Sequence, residues 1–370
     1  MYNKKEGFLA LLAITALLLS FLTVSTNSAT EPLVSARAAA LYEPESERFL
    51  FMKNGNERLG MASTTKIMTA LIALERLEPD TQVHIDSRAI GTDGSSVYLK
   101  EGEVMSAEGL IYALMLRSAN DAAEALAYEI AGDIDGFCAL MNERAASLGL
   151  TDTCFKNPHG LDAKGHYTTA HDLAIITAEA MKNEDFVRIS STYKTTVESN
   201  MEERLIVNHN KLLRLYDGAI GVKTGYTQIT GRSLVGAAER DGLRLISVTL
   251  DAPDDWTDHR KMLDFGFSTT HKVRLICDGE YTYSLPVVNG ESSEVKIKSV
   301  GDVNLIYGVE KPEIKREIYL DRLAVAPVSS GDVLGRIVFY NGEEIIAEVS
   351  LVATEDVARA KKPSIFDIFT

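Results

Sequence analysis

The chain is poor in residues that cross-link or hold soft metals. Only three cysteines, Cys138, Cys154 and Cys277, stand among 370 residues. None forms a C-x-x-C, so a disulfide framework, a zinc knuckle and a dithiol redox motif are all excluded. One disulfide could form, but no spacing predicts it, and small buried thiols are the expected role. There is no H-E-x-x-H, and His159, His166 and His171 follow no zinc-ligand spacing, so neither metal nor cofactor is expected. No serine sits in G-x-S-x-G, which removes the nucleophile elbow of the α/β hydrolases. Positive charge is also scarce: 38 Lys and Arg face 53 Asp and Glu, a net charge of −15. Without a basic footprint, nucleic acid and anionic lipid are poor principal partners. Internal repeats and low-complexity tracts are absent. With 45% hydrophobic and 25% charged residues, bulk disorder is excluded and one large or two ordinary domains fit the length.

The one long apolar run lies at the N-terminus. Lys4 and Lys5 precede Phe8–Val24, and Ser25 to Ala29 are small and polar. This is the pattern of a secretory leader over residues 1–29, cut after Ala29 or after Val34-Ser35-Ala36. The alternative is an uncleaved signal anchor, because the run is short for a membrane span. Either way the expected location is extracytoplasmic, in the cell wall or on the outer face of the cytoplasmic membrane. Loss of 1–29 removes two lysines and one glutamate, taking the net charge to −16.

Residues 35–270 mix helical and strand signals. Ala36–Tyr42 and Arg48–Met52 flank Glu43-Pro44-Glu45-Ser46, a turn-forming tetrad, and predict a hairpin. Apolar positions from Ser63 to Leu77 recur at helical spacing. Ser106 predicts the N-cap of a helix to Leu116, and after a break at Ser118–Asp121 a further helix reaches Ile130. Ser233–Glu239 and Leu243–Asp251 flank Arg240-Asp241-Gly242 as a second hairpin. A mixed sheet with packed helices accommodates these elements. From 273 to 353 the character changes to short alternating runs. These are Val273–Cys277, Tyr281–Leu285, Val295–Val300, Glu317–Leu320, Val333–Phe339 and Ile345–Leu351. Turns at Asn289-Gly290, Ser330-Gly331 and Asn341-Gly342 separate some of them, predicting a small β-sandwich or barrel. In the tail, 354–370, Lys361 and Lys362 precede Ile365, Phe366, Ile368 and Phe369. This segment is either a weak membrane contact or a frayed end.

Three short motifs carry chemistry. Ser63-Thr64-Thr65-Lys66 opens a helix, and i,i+3 spacing puts both side chains on one face. A serine hydroxyl needs a base to attack a carbonyl, and a lysine made neutral by burial or a second cation can serve. Free N–H groups at a helix start suit an oxyanion. By itself the pattern is weak, because it recurs at Ser191/Lys194 and Ser293/Lys296, and a helix cap is the better reading of Ser63 taken alone. Ser118-Ala119-Asn120 lies at an inter-helix break, where the bland role is again a cap. Lys223-Thr224-Gly225 precedes the second hairpin, where the bland role is an edge lysine with a turn glycine. A glycine there also lets a substrate backbone lie against the strand. The order S-x-x-K, S-x-N, K-T-G is the signature of penicillin-binding proteins and class A β-lactamases.

Longer stretches extend the likeness: ASTTKIMTA (62–70), RSANDA (117–122), NPHGLD (157–162), HYTTAHDL (166–173) and GVKTGYT (221–227). Together with AVAPVSSGDVLG and VFYNGEE near the C-terminus, the chain resembles the low-molecular-mass penicillin-binding proteins, the serine D-alanyl-D-alanine carboxypeptidases, over about residues 35–355. The resemblance implies a β-lactamase/transpeptidase-like α/β (α+β) domain, with an antiparallel sheet flanked by helices, followed by a small all-β domain. It implies Ser63 as acyl-ester nucleophile and Lys66 as proton acceptor. Ser118 and Asn120 would shuttle protons and hold the substrate amide. Lys223 would supply positive potential, Thr224 would bind the terminal carboxylate, and Gly225 would admit the substrate backbone. The N–H groups of Ser63 and Tyr226 would form the oxyanion hole. Partners would be peptidoglycan stem peptides and β-lactams, with no cofactor. Some family members bind the carboxylate with an arginine beyond K-T-G, and here Arg232 and Arg260 are both candidates. Two other readings compete: a class A-like β-lactamase and a non-catalytic wall-binding protein. No family-like E-x-x-L-N supplies the glutamate of the first, and the intact motifs weigh against the second.

Overall fold

The structure, a computed structural model, describes residues 30–361. The expected leader and the apolar residues of the tail lie outside the described residues. Strand β1 (Ala38–Glu43) turns back into β2 (Arg48–Lys53), held by the Glu43 carboxylate, which accepts the N–H groups of Glu45 and Ser46. A 3-10 turn, Ala62–Thr65, runs into α1 (Lys66–Arg76). A small hairpin, β3 (Gln82–His84) with β4 (Val104–Ser106), leads to α2 (Ala107–Leu116). Ser106 caps α2 as its sequence predicts, its hydroxyl accepting Gly109 N–H at 3.1 Å. Then follow α3 (Asn120–Ala131), α4 (Ile134–Ser147), α5 (Ala170–Ala180) and α6 (Glu184–Ser191). Hairpin β5 (Lys194–Glu198)/β6 (Glu203–Val207), the short α7 (Leu212–Leu215), strands β7 (Ala219–Thr227), β8 (Gly231–Arg240) and β9 (Leu243–Leu250), and α8 (Asp255–Thr269) complete this part.

The main sheet has the order β2-β1-β9-β8-β7, and every pairing is antiparallel. It is the antiparallel sheet the resemblance implies, rather than a mixed one. Both faces are covered, and period-two alternation sorts the strand residues between them. Ala38, Ala40 and Tyr42 of β1, with Ile246, Val248 and Leu250 of β9, face the core shared with α1 to α6. Ala39, Leu41, Leu243 and Leu245 face the core under α8. Strand β7 ends the sheet, so its outer edge is open to the α1–α3 side. That edge is where the site forms.

Residues 271–353 are all strand and loop. They comprise β10 (His271–Ile276), β11 (Thr282–Val288), β12 (Glu294–Ser299), β13 (Val303–Tyr307), β14 (Ile314–Leu320), β15 (Ala324–Val325), β16 (Val333–Asn341) and β17 (Glu344–Ala353). Six of these form one sheet, β14-β16-β17-β12-β11-β15, while β10 pairs with β13. They share a separate core that includes Ile276, Leu285, Ile297, Ile337, Phe339 and Leu351. All three cysteines are free thiols.

Candidate active site

The turn that holds Ser63 is strained. Ala62 takes φ +46°, a region that costs an L-residue roughly 1–2 kcal/mol. Neither the 3-10 turn nor α1 has a side-chain cap, so Ser63 does not do the work of a helix cap. Lys66, one turn on, is fully buried. Its Nζ lies 3.1 Å from Ser63 Oγ, 2.7 Å from Asn120 Oδ1 and 2.5 Å from the His159 carbonyl. Asn120 is fixed in this sense because its Nδ2 donates to Asp93 O at 2.6 Å. Its Oδ1 and the His159 carbonyl can only accept. Burial, and then the charge of Lys223, push the Lys66 pKa well below that of an ordinary lysine, against the weaker pull of Asp121. A neutral amine has two N–H groups and one lone pair. The two acceptor oxygens take both N–H groups, so the lone pair is left for the Ser63 hydroxyl. Such an arrangement can remove the proton as the serine attacks.

Ser118, at φ +61° in the break between α2 and α3, receives a hydrogen bond from Lys223 Nζ at 3.0 Å. Strain of this kind in a non-glycine residue persists only where its surroundings over-determine it. Neither Ser118 nor Asn120 caps α3, whose N-cap is Ala119. Lys223 is also fully buried, donates to Thr224 O at 2.9 Å, and is lowered by burial to about 7. On β7, Gly225 passes so close to the serine turn that a Cβ would sit 3.1 Å from Ser63 N. Thr224, Gly225 and the exposed Tyr226 line a cleft of about 560 Å³ together with Ser63 and Ser118. The same cleft is also lined by Lys211, Arg214 and Arg232, with Asp255 the one carboxylate among its lining residues. In a chain of net charge −15, this concentration of cations favours an anionic group in the cleft.

Arg232 lies opposite Tyr226 across the β7–β8 ladder and reaches Asp255 at 2.9 Å. Arg260 is exposed and is not among the residues lining the cleft. The other S-x-x-K pairs gather nothing comparable: Lys194 and Lys296 are exposed, and Ser191 Oγ donates to Arg188 O. Of the eight site positions named from the sequence, Ser63, Ser118, Thr224, Gly225 and Tyr226 line the cleft, and the buried Lys66, Asn120 and Lys223 join them through hydrogen bonds. Sequence reasoning missed what supports them. Asp121 is buried and accepts Val97 N–H, Leu99 N–H and the Ser96 hydroxyl, binding loop 96–99 to α3. The His159 carbonyl, Gly160, Thr65 and His166 brace the serine turn. The stretch Asn157-Pro158-His159-Gly160 was visible as part of the NPHGLD likeness, but a backbone carbonyl leaves no residue-type signal.

Fold and site together define a serine hydrolase of the penicillin-recognising class, with S-x-x-K, S-x-N and K-T-G gathered at one sheet edge. The chain belongs to the D-alanyl-D-alanine carboxypeptidase family, whose profile matches residues 25–254. The profile of the penicillin-binding protein 5 C-terminal domain matches residues 271–359. The chain is 33% identical over 336 residues to the D-alanyl-D-alanine carboxypeptidase DacF of Bacillus subtilis, covering 88% of this chain and 86% of that one. It is 32% identical over 371 residues to DacC of Escherichia coli, covering 95% and 90%. Among solved structures, penicillin binding protein 5 from Haemophilus influenzae superposes with TM-score 0.67 at 30% identity, over 90% of this chain and all of that one. The Streptomyces K15 DD-transpeptidase gives TM-score 0.61 at 32% identity, over 64% of this chain and 99% of that one.

Proposed function

We propose that this protein is an exported serine D-alanyl-D-alanine carboxypeptidase that trims terminal D-Ala from peptidoglycan stem peptides and is acylated by penicillins. The observation that carries the reading is the Lys66 amine, with both N–H groups taken by Asn120 Oδ1 and the His159 carbonyl and its lone pair turned to Ser63. Ser63 Oγ attacks the penultimate D-Ala carbonyl as its proton passes to Lys66. The oxyanion is held by the N–H groups of Ser63 and Tyr226, a device worth about 10²–10³ in rate per donor. The C–N bond breaks and D-Ala leaves, protonated from Lys66 through Ser118. Water, deprotonated by Lys66, then cleaves the ester and frees Ser63. Lys223 keeps Lys66 neutral by its charge, and Thr224 binds the terminal carboxylate. Between the two candidate arginines, proximity to the cleft supports Arg232, steered by Asp255, as the further carboxylate anchor. The catalytic unit is residues 35–270, and 273–353 form a separate β domain with its own core. The leader pattern supports export to the cell wall or the outer face of the cytoplasmic membrane.

The test is intact-mass analysis with a penicillin, followed by D-Ala release from a pentapeptide. We expect one stable adduct and D-Ala release, with both abolished in Ser63→Ala. Labelling that persists in Ser63→Ala removes Ser63 from the role. Rapid return to free mass with hydrolysed drug would instead identify a β-lactamase, and no adduct a wall-binding protein.

A further inference from the structure

The peptide unit joining Ala62 to Ser63 has two ends with different surroundings. Its N–H lies beside Gly225 of β7. Its carbonyl turns inward, where Thr65 Oγ1 donates to Ala62 O at 2.8 Å. Both residues are buried. His166 Nε2 lies 2.8 Å from the same Thr65 hydroxyl, and His166 Nδ1 accepts Lys156 N–H at 3.0 Å. A neutral imidazole carries one N–H, and a nitrogen that accepts an amide proton cannot be the one bearing it. Nε2–H therefore donates to Thr65 Oγ1, and the single hydroxyl proton of Thr65 goes on to Ala62 O. Burial, and then His159, lower the His166 pKa to about 4, which keeps the ring neutral. On the other side Gly160 closes on the same carbonyl: a Cβ there would stand 1.9 Å from Ala62 O.

These bonds run in one direction and end at a planar amide. In a trans peptide the C=O and N–H point oppositely, so whatever fixes the oxygen also aims the N–H. Hydrogen bonds in a chain polarise one another, and a bonded carbonyl makes its own amide a stronger donor. We propose that His166 and Thr65 are positioning residues that aim and polarise the Ser63 N–H toward the oxyanion. The inference rests on the reading of Ser63 as the acylated serine. The relay touches no reacting atom. It acts in both half-reactions, because acylation and deacylation each pass through an oxyanion at the same place.

The experiment uses the full chain acylated by a penicillin labelled with ¹³C at the β-lactam carbonyl. The infrared stretch of the resulting ester falls as hydrogen bonding to its oxygen strengthens. In Thr65→Val and in His166→Leu we expect the band at higher frequency, with acylation and deacylation each slowed about 10-fold, part of the loss for a whole oxyanion donor. His166→Gln, whose amide N–H can replace Nε2–H, should return both the frequency and the rates toward those of the parent. A merely structural role would lower the melting temperature without moving the band. Ester bands in Thr65→Val and His166→Leu that coincide with the parent's overturn the relay alone. No ester band from the unsubstituted chain overturns the acyl-enzyme reading, and the relay with it.

Discussion

Gly160→Ala should disable acylation while leaving the fold largely intact. Gly160 takes φ +92°, a conformation that costs an L-residue about 1–2 kcal/mol. The added methyl would also stand 1.9 Å from Ala62 O, 2.4 Å from Ala62 C and 2.9 Å from Thr65 Oγ1. Two of these three neighbours are backbone atoms of the serine turn, so no side chain can swing aside to relieve the contact. Relief requires the Ala62–Ser63 peptide to withdraw by at least about 1 Å, a misplacement that typically lowers a rate about 10²-fold. The same shift would carry Ser63 Oγ away from Lys66 Nζ, now 3.1 Å distant. The measurement is the second-order rate of labelling by a fluorescent penicillin, with a urea unfolding curve on the same preparation. We expect labelling slowed about 100-fold or more, beside a stability loss of about 2–4 kcal/mol. A Gly160→Ala protein that labels at the parent rate would show that the serine turn is not held by this contact.

Lys223→Met should move the acid limb of the pH profile for acylation to higher pH. In the proposed mechanism Lys66 acts as the neutral amine, and Lys223 is the second cause lowering its pKa, so removing that charge raises the pKa; an unmoved or more acidic limb contradicts the coupling. Arg232→Leu should lower kcat/KM for a D-Ala-terminated peptide about 10–100-fold, the scale of a lost charge-assisted hydrogen bond. Arg260→Leu should change little, and parity between the two variants removes Arg232 as the anchor. Acid should destabilise the fold through His166 and His259, whose pKa values are lowered to about 4 and about 3, chiefly by burial. Both are depressed below the ordinary 6.5, so the unfolded chain binds more protons and their contribution, complete above pH 6.5, shrinks as pH falls toward 3–4. Linkage gives about 2 kcal/mol per histidine by pH 5, measurable as urea midpoints at pH 8 and 5; His259→Gln should flatten the difference, and an unchanged slope would refute the assignment.

Where hydrophobic rhythm and turn chemistry coincide, the sequence was enough. The two predicted hairpins, β1/β2 and β8/β9, and helices α1 to α3 lie within a few residues of their predicted spans, and Asn341-Gly342 connects β16 to β17. Helix α8 was invisible to that rhythm because much of its buried face is polar. Asp255, Asp258 and His259 point inward. Asp258 accepts Ser35 N–H, Ser35 Oγ–H and Ala36 N–H, while His259 bonds Ser247 and Thr249. A helix that buries satisfied polar groups looks like loop when only apolar positions are counted. Strand β13 escaped for a different reason. It is half-buried along its whole length and so carries no alternation to read.

The site divides along the same physical line. The side chains proposed to act through their own chemistry, Ser63, Lys66, Ser118, Asn120, Lys223 and Thr224, were readable because residue type and order carry that information. What holds them is mostly backbone: the Ala62 and His159 carbonyls, the Ser63 N–H, and the close approach of Gly160 and Gly225. Backbone groups are the same in every residue, so only their geometric demands can reach the sequence. One such demand did: Gly160 at φ +92° stands where any Cβ would collide with the serine turn. Asn157-Pro158-His159-Gly160 is also turn chemistry, which by itself explains a glycine. Only the structure shows that the turn is pressed against the Ala62–Ser63 peptide, whose N–H is the proposed oxyanion donor. That contact gives the glycine a second reason to be there, and Gly160→Ala separates the two, because a turn role alone predicts lost stability with labelling unchanged.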